Sequence, residues 1–170
     1  MSKEKLHTEF MELYQLHHNA LSNYCRVLIN NTDDARDLMS EAVLACMSNF
    51  EKLKDRSKFK FYLFGIASRL LKRKIYRSGL FNGYKQMQLG NDYQAKTDIL
   101  DRTELYVFRK MLARLPENQR EIFVLFEIND LSLNEISEIE NIPLSTVKTR
   151  LSRARKALAE IYKEEKIVIN

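Results

Sequence analysis

Residues 132–156 read SLNEISEIENIPLSTVKTRLSRARK, and their spacing gives the clearest structural signal in the sequence. Ser132 stands three positions before Glu135, which is the spacing of a capping box at the start of a helix. Asn141 follows the first apolar repeat, and asparagine is second only to glycine in adopting the left-handed turn that ends a helix. A second amphipathic segment begins after Pro143. The pattern therefore predicts a helix-turn-helix motif.

The second helix of this motif has one apolar and one basic side. Leu144, Val147, Leu151, Ala154 and Leu158 recur at helical spacing and predict the buried face. The stretch from 144 to 159 contains five basic residues and no acid. Short hydroxyl side chains allow close approach to DNA, while Arg and Lys bond to base edges or phosphates. The predicted DNA contacts are Ser145, Thr146, Lys148, Thr149, Arg150, Ser152, Arg153, Arg155 and Lys156. A basic, solvated helix in an ordinary bundle is the alternative interpretation.

Outward from this motif, helical periodicity continues almost everywhere and no stretch alternates as a strand. Helices are expected at about 101–114 and from Leu115-Pro116 onward, which completes a C-terminal module at residues 100–165. Residues 78–98 contain three of the four glycines, and periodicity fades there. The sequence predicts an all-α chain of two small helical modules, 1–78 and 100–165, joined by a linker at 79–99.

The N-terminal module is expected to hold three helices, at about 5–28, from a cap at Asn31 or Thr32 to about 53, and at about 59–77. The third helix has an apolar side made of Phe59, Leu63, Ile66, Ala67 and Leu70. Its other side carries basic residues with one aromatic among them, at spacings that place them on one stripe: Arg69, Lys72, Arg73, Tyr76 and Arg77.

Charge is distributed unevenly along the chain. The net charge is +5 and the pI is near 9.1, which favours polyanionic partners. Residues 33–51 nevertheless contain five acids and one base. Separate acidic and basic surfaces predict separate partners.

The remaining composition excludes several classes of function. No apolar run is long enough to span a bilayer and the N-terminus lacks a secretion signal, so a cytoplasmic protein without membrane insertion is expected. Cys25 and Cys46 form no Cys-x-x-Cys pair and are interpreted as buried thiols. The three histidines lack partners for a metal site. No metal, no cofactor and no enzymatic activity are predicted.

Two groups of motifs resemble one known family. Leu115-Pro116, Arg120-Glu121-Ile122, Leu131-Ser132 and the run from Ser145 to Arg155 resemble region 4 of the extracytoplasmic-function (ECF) sigma factors. Asp34-Ala35-Arg36-Asp37-Leu38 and the run from Phe61 to Ala67 resemble region 2 of the same family. The resemblance implies a transcription initiation factor that binds core RNA polymerase and recognises promoter DNA.

The resemblance also implies a role for each surface. The clamp helices of the largest polymerase subunit would bind Asp34, Asp37, Leu38, Glu41 and Ala45. The downstream promoter element would meet Lys58, Lys60, Arg69, Lys72, Arg73, Tyr76 and Arg77, with a cleft for a flipped base in the stretch 52–60 beside Phe59 and Phe61. The motif at 132–156 would recognise the upstream element, and the flap of core polymerase would be a further contact of the protein. An anti-sigma factor is a further partner that the resemblance allows.

Within the recognition helix, the resemblance divides base recognition from anchoring. Lys148, Thr149, Ser152 and Arg153 would face base edges, while Arg150 and Arg155 would meet phosphates.

Other functions are consistent with parts of the sequence. A dimeric helix-turn-helix regulator of duplex operators would have a similar C-terminal half. A recombinase would need a separate catalytic domain, which the sequence does not show. A protein-interaction bundle would leave the chemistry of the second helix unexplained, and the carboxylates at 33 and 34 could simply favour the positive end of their helix.

Overall fold

In a computed structural model the chain divides into two compact helical units, Met1–Phe81 and Asn82–Asn170. The structure describes residues 2–29, 31–77 and 99–169, and the side chains of the last range from 106 to 166. Every regular element in these ranges is helical, as the periodicity predicts. The predicted linker lies outside the described residues except for its last position, so its bounds stay predictions.

The N-terminal unit consists of α1 (Lys3–Leu28), α2 (Thr32–Ser48) and α3 (Phe59–Arg77). Asn31 starts α2, because its Oδ1 accepts hydrogen bonds from the amides of Asp33 at 2.9 Å and Asp34 at 3.0 Å. This satisfies two amides that have no partner within the helix. The predicted cap at Asn31 is therefore confirmed, and α2 packs against both α1 and α3.

Aromatic rings form the core of this unit. Phe10 of α1 meets Phe50 and Phe59 edge to face, with ring centroids 5.3 and 5.5 Å apart, and all three rings are 1% exposed. Tyr24 and Phe64 make a second such pair at 5.4 Å. These geometries are the preferred ones for aromatic contacts and hold the helices at fixed separations.

The buried side of α3 differs in part from the predicted one. Leu70 is only half-buried, whereas Leu71 and Ile75 are buried. Phe64, Leu71 and Ile75 thus belong to the inner side of α3, which packs against α2.

Both cysteines are buried, as predicted, and neither is in a disulfide. Burial raises the pKa of each thiol to about 12. The thiols therefore stay protonated at neutral pH and are poor nucleophiles.

The C-terminal unit consists of α4 (Ile99–Ala113), α5 (Glu117–Phe123), α6 (Leu133–Glu140) and α7 (Leu144–Ile169). A π turn, Val124–Ile128, extends α5 and closes with the amide of Asn129 donating to the carbonyl of Val124 at 3.1 Å. Phe123 and Phe126 are half-buried, whereas the neighbouring Ile122 and Leu125 are buried. Val124 occupies an inner position instead, since the wider turn changes which side chains face the core.

The guanidinium of Arg120 caps the C-terminal end of α4. It donates to the carbonyls of Leu112 at 2.8 Å, Ala113 at 2.9 Å and Leu115 at 2.9 Å, and the residue is only 6% exposed. The last carbonyls of a helix have no intrahelical donor. One buried side chain therefore supplies donors to the end of α4 and to the connection into α5.

Candidate nucleic-acid interface

The turn between α6 and α7 fixes the direction of the second helix. The amide of Ser132 donates to Glu135 Oε2 at 2.8 Å and the amide of Glu135 donates to Ser132 Oγ at 3.2 Å, so the predicted capping box is present. Asn141 is left-handed with φ of 52°, and Ser137 Oγ donates to the carbonyl of Ile142 at 2.6 Å. The predicted helix-turn-helix is thus formed by its local signals.

The two faces of α7 separate as the sequence predicts. Val147, Leu151, Ala154 and Leu158 are buried where α7 packs on α5 and α6, while Leu144 is half-buried. Of the nine predicted DNA contacts, Thr146 and Arg150 are half-buried and the other seven are exposed: Ser145, Lys148, Thr149, Ser152, Arg153, Arg155 and Lys156. The exposed face therefore presents hydroxyl and basic groups together.

Arg153 and Arg155 on this face differ in their contacts with other side chains. Arg155 binds Glu127 of the π turn, with its Nε 2.6 Å and its Nη2 2.5 Å from Glu127 Oε1, and its guanidinium lies 5.4 Å from the centre of the Phe126 ring. Across the described part of the chain, Arg153 makes no ion pair. Arg155 is accordingly oriented before any ligand arrives, whereas Arg153 keeps its donors available.

A second basic face lies on α3. Arg69, Arg73, Tyr76 and Arg77 are exposed and Lys72 is half-buried, on the side of α3 away from its core contacts. The ring of Tyr76 is 87% exposed, which is unusual for a large aromatic side chain. Cations and an exposed aromatic at one helix face fit a nucleic-acid strand, because bases stack on rings and phosphates bind cations.

The segment 49–58 joins α2 to α3 through two short 3₁₀ turns, Phe50–Lys52 and Arg56–Lys58. Lys52, Lys54 and Lys58 are exposed there. Asp55 Oδ1 accepts from the hydroxyl of Ser57 at 2.6 Å and from its amide at 3.0 Å. These two bonds hold the pKa of Asp55 below its usual range and fix the second turn.

Lys60, one residue into α3, is half-buried near His17 of α1. The His17 ring stacks on Phe59 with centroids 6.0 Å apart. Burial, together with the positive charge of Lys60, lowers the pKa of His17. His17 is therefore mainly neutral at pH 7 and adds no charge to this face.

The helix α2 carries the predicted acidic surface. Asp34, Asp37 and Glu41 are exposed and Ala45 is half-buried. Leu38 is 0% exposed in the core between the helices, so its predicted place on a polymerase-binding surface was wrong. Leu38, Ala42 and Cys46 recur at spacings of four along α2, and all three are buried.

Two apolar residues to which the sequence pattern assigns no role lie on the exposed side of α2. Leu44 is 59% exposed and Met47 is 38% exposed. Leu44 stands three positions after Glu41 and therefore adjoins it on the helix. The sequence does indicate their exposure, because Leu44 and Met47 fall outside the apolar repeat of Leu38, Ala42 and Cys46 that packs in the core.

Two absences hold for the described residues. No group of three or more His, Cys, Asp or Glu side chains among them could hold a metal ion. None of the helices that the structure describes is both long and apolar enough to cross a membrane.

Comparison with known proteins identifies the family. The Sigma-70 region 2 model matches residues 13–79 and the Sigma-70 region 4 model matches residues 106–158. SigW, an ECF RNA polymerase sigma factor of Bacillus subtilis, is 30% identical over an alignment of 161 residues that covers 88% of this chain and 86% of that protein. The chain belongs to the ECF sigma factors. Its α2 and α3 lie within region 2, and its helix-turn-helix lies within region 4.

Further relatives agree with this family. EcfG of Rhodopseudomonas palustris, also named an ECF sigma factor, is 27% identical over an alignment of 139 residues that covers 79% of this sigma factor and 74% of EcfG. The solved structure of the sigma factor RpoE with the anti-sigma factor NepR, from Bartonella quintana, has a TM-score of 0.71 at 23% identity, covering 91% of this chain and 96% of that one. CnrH in complex with the cytosolic domain of CnrY gives 0.69 at 22% identity, covering 91% and 88%. These two structures share the fold.

Proposed function

We infer that this ECF sigma factor binds core RNA polymerase and directs the start of transcription at specific promoters. The observation that carries this conclusion is the outer face of α7, where hydroxyl and basic side chains are exposed over a buried apolar face. A second basic face with an exposed Tyr76 lies on the other unit. A regulator that only binds duplex DNA gives no reason for this second face.

We propose that each unit binds one promoter element. The face of α7 recognises the upstream element in the major groove, and the face of α3 with the segment 49–58 holds the opened strand of the downstream element. The role is that of an initiation factor, while polymerase performs the chemistry. Because polymerase and chromosomal DNA are cytoplasmic in bacteria, the factor acts in the cytoplasm.

Promoter binding is expected to depend on core polymerase. Each unit offers only a few phosphate contacts, so the free sigma factor should bind DNA weakly and with strong salt dependence. Core polymerase would hold both units on one DNA and thereby raise their effective concentration. The experiment selects promoters from a random library with holoenzyme, and then compares transcription and binding with and without core enzyme.

The comparison separates the two classes of DNA-binding protein. Promoter-selective transcription only in the presence of both core enzyme and this chain supports a sigma factor. Tight, sequence-specific binding to duplex DNA by a dimer of the purified chain, with no stimulation of core enzyme, would instead establish the operator-binding regulator.

The polymerase contact is proposed to lie on the exposed side of α2, at Asp34, Asp37, Glu41 and Ala45, extended by Leu44 and Met47. Acidic side chains around exposed apolar ones are suited to a basic partner surface that also buries hydrophobic area.

Asp37→Arg and Glu41→Arg are expected to weaken association with core enzyme while leaving the helical content unchanged, since exposed substitutions usually cost little stability. Binding to labelled core enzyme and circular dichroism measure the two effects. Glu12→Arg, which changes another exposed acid on α1, is the matched control. Wild-type core affinity in both α2 variants would place the interface elsewhere.

An anti-sigma factor is proposed as a further partner. RpoE of Bartonella quintana is seen with the anti-sigma factor NepR, and this chain shares its fold over most of its length. Co-purification from the native organism, followed by inhibition of transcription by the recovered protein, tests the proposal.

A further inference from the structure

Arg56 lies at the centre of the segment 49–58. Its Nη1 donates to the carbonyl of Phe50 at 2.8 Å and also to the carbonyl of Leu53, and its guanidinium lies 3.9 Å from the centre of the Phe50 ring. Arg56 belongs to the second 3₁₀ turn of the segment. Its side chain thus contacts both the first turn and the middle of the segment.

Glu9 of α1 holds Arg56 from outside the segment. Glu9 Oε1 accepts from Arg56 Nε at 2.9 Å and Glu9 Oε2 accepts from Nη2 at 3.3 Å, so both carboxylate oxygens take part. The two side chains are 26% and 35% exposed for Arg56 and Glu9, which shields the pair in part from water. Two-point pairing of this kind fixes the plane of the guanidinium as well as its position.

Of the exposed lysines of the segment, Lys52 donates to Asn49 Oδ1 at 3.1 Å, whereas Lys54 and Lys58 form no ion pair with a described residue. Lys54 and Lys58 flank Arg56 in sequence and point to solvent. Their positions follow from the backbone between Phe50 and Phe59, which are both buried in the aromatic core. The backbone between these two fixed ends is held by Arg56 and by the Asp55–Ser57 turn. Displacing Arg56 would therefore move the lysines without removing any of them.

We propose that the Glu9–Arg56 pair positions the segment 49–58 for capture of the single strand of the downstream promoter element. Glu9 and Arg56 act as positioning residues, and the inference rests on the proposed function of the segment. Strand capture needs preorganised donors, because a loosely held site loses binding energy to ordering.

The direction in which Glu9→Gln changes the affinity for the strand distinguishes a positioning role from long-range electrostatics. Glu9→Gln removes a negative charge near a site for a polyanion, so long-range electrostatics alone would make strand binding slightly tighter. Loss of the ion pair with Arg56 would make it weaker. Glu12→Gln removes the same charge from an exposed position on the same helix and is the matched control.

The experiment uses holoenzyme assembled from the full chain and core polymerase. The probe is a single-stranded oligonucleotide with the non-template downstream element of a promoter selected by the wild-type holoenzyme. Arg56→Lys keeps the positive charge but loses the two-point pairing, and it is expected to weaken strand binding about tenfold, with Glu9→Gln weakening it by about threefold. Glu12→Gln should bind the strand as tightly as wild type or slightly more tightly.

Core affinity and the unfolding temperature distinguish positioning from general support of the fold. Weaker strand binding with core affinity unchanged supports the inference. Wild-type or tighter strand binding in Glu9→Gln overturns it, as does a parallel loss of core affinity in both variants, which would show that the pair only stabilises the unit. If wild-type holoenzyme itself fails to bind the strand, the proposed function of the segment is wrong and this inference falls with it.

Discussion

Arg120→Ala is expected to unfold the C-terminal unit under conditions in which the N-terminal unit stays folded. The substitution removes the hydrogen bonds of Arg120 to the carbonyls of Leu112, Ala113 and Leu115, and it leaves a cavity where a buried side chain had been. Leu112 keeps the amide of Leu115 as a donor, at 3.0 Å. Unpaired buried polar groups cost about 1–3 kcal/mol each, and part of this is recovered by water, so a loss of about 3 kcal/mol or more is expected.

Native-state hydrogen exchange on the full chain measures this loss, because it reports each helix separately. Amides of α4 and α5 should exchange faster, while those of α1 and α3 provide an internal reference. Arg114→Ala is the matched control, since Arg114 lies near the same helix end but pairs with Glu164 at the surface, at 2.5 Å. Equal protection in Arg120→Ala and wild type would show that the carbonyls find other donors.

Arg153→Ala is expected to change which promoters are selected. Arg153 is exposed on α7 beside Thr149 and Ser152, on the side away from Leu151 and Ala154. Loss of a base contact by arginine costs about 1–3 kcal/mol and relaxes preference at one base position. Selection from a promoter library with wild-type and variant holoenzyme, followed by comparison of the two motifs, is the measurement.

Arg155→Ala is the control on the same helix and should weaken binding to all sequences alike. Arg155 is held by Glu127, so a phosphate must compete with a carboxylate for it. The change in the salt dependence is therefore expected to be less than that of one full phosphate contact. An unchanged promoter motif with uniformly weaker binding in Arg153→Ala would assign Arg153 to anchoring as well.

Local signals in the sequence predicted the elements well. Asn31, the Ser132–Glu135 capping box and Asn141 each act within a few residues, so the sequence shows both members of every interaction. The start of α3 at Phe59 also agrees with the prediction.

Interactions between distant residues were not predictable from the pattern. Glu9 and Arg56 are 47 positions apart, and nothing in either neighbourhood indicates the other. Periodicity also gives the apolar residues of α2 without saying which of them a neighbouring helix covers. Leu38 is covered and Leu44 is not, and this depends on the placement of α1 and α3.

Because of the π turn after α5, the number of residues in this short segment affects the DNA-binding face. A π turn holds one residue more than an α turn, so the segment Val124–Ile128 corresponds to an α-helix with a single-residue insertion. A relative with a one-residue gap at the position of Glu127 would continue as an α-helix with the flanking residues in register, and it would lack this carboxylate. Its counterpart of Arg155 would then lose the carboxylate that orients it. Among homologues, alignment gaps at this segment should therefore coincide with changes at position 155, even though the two sites are far apart in sequence.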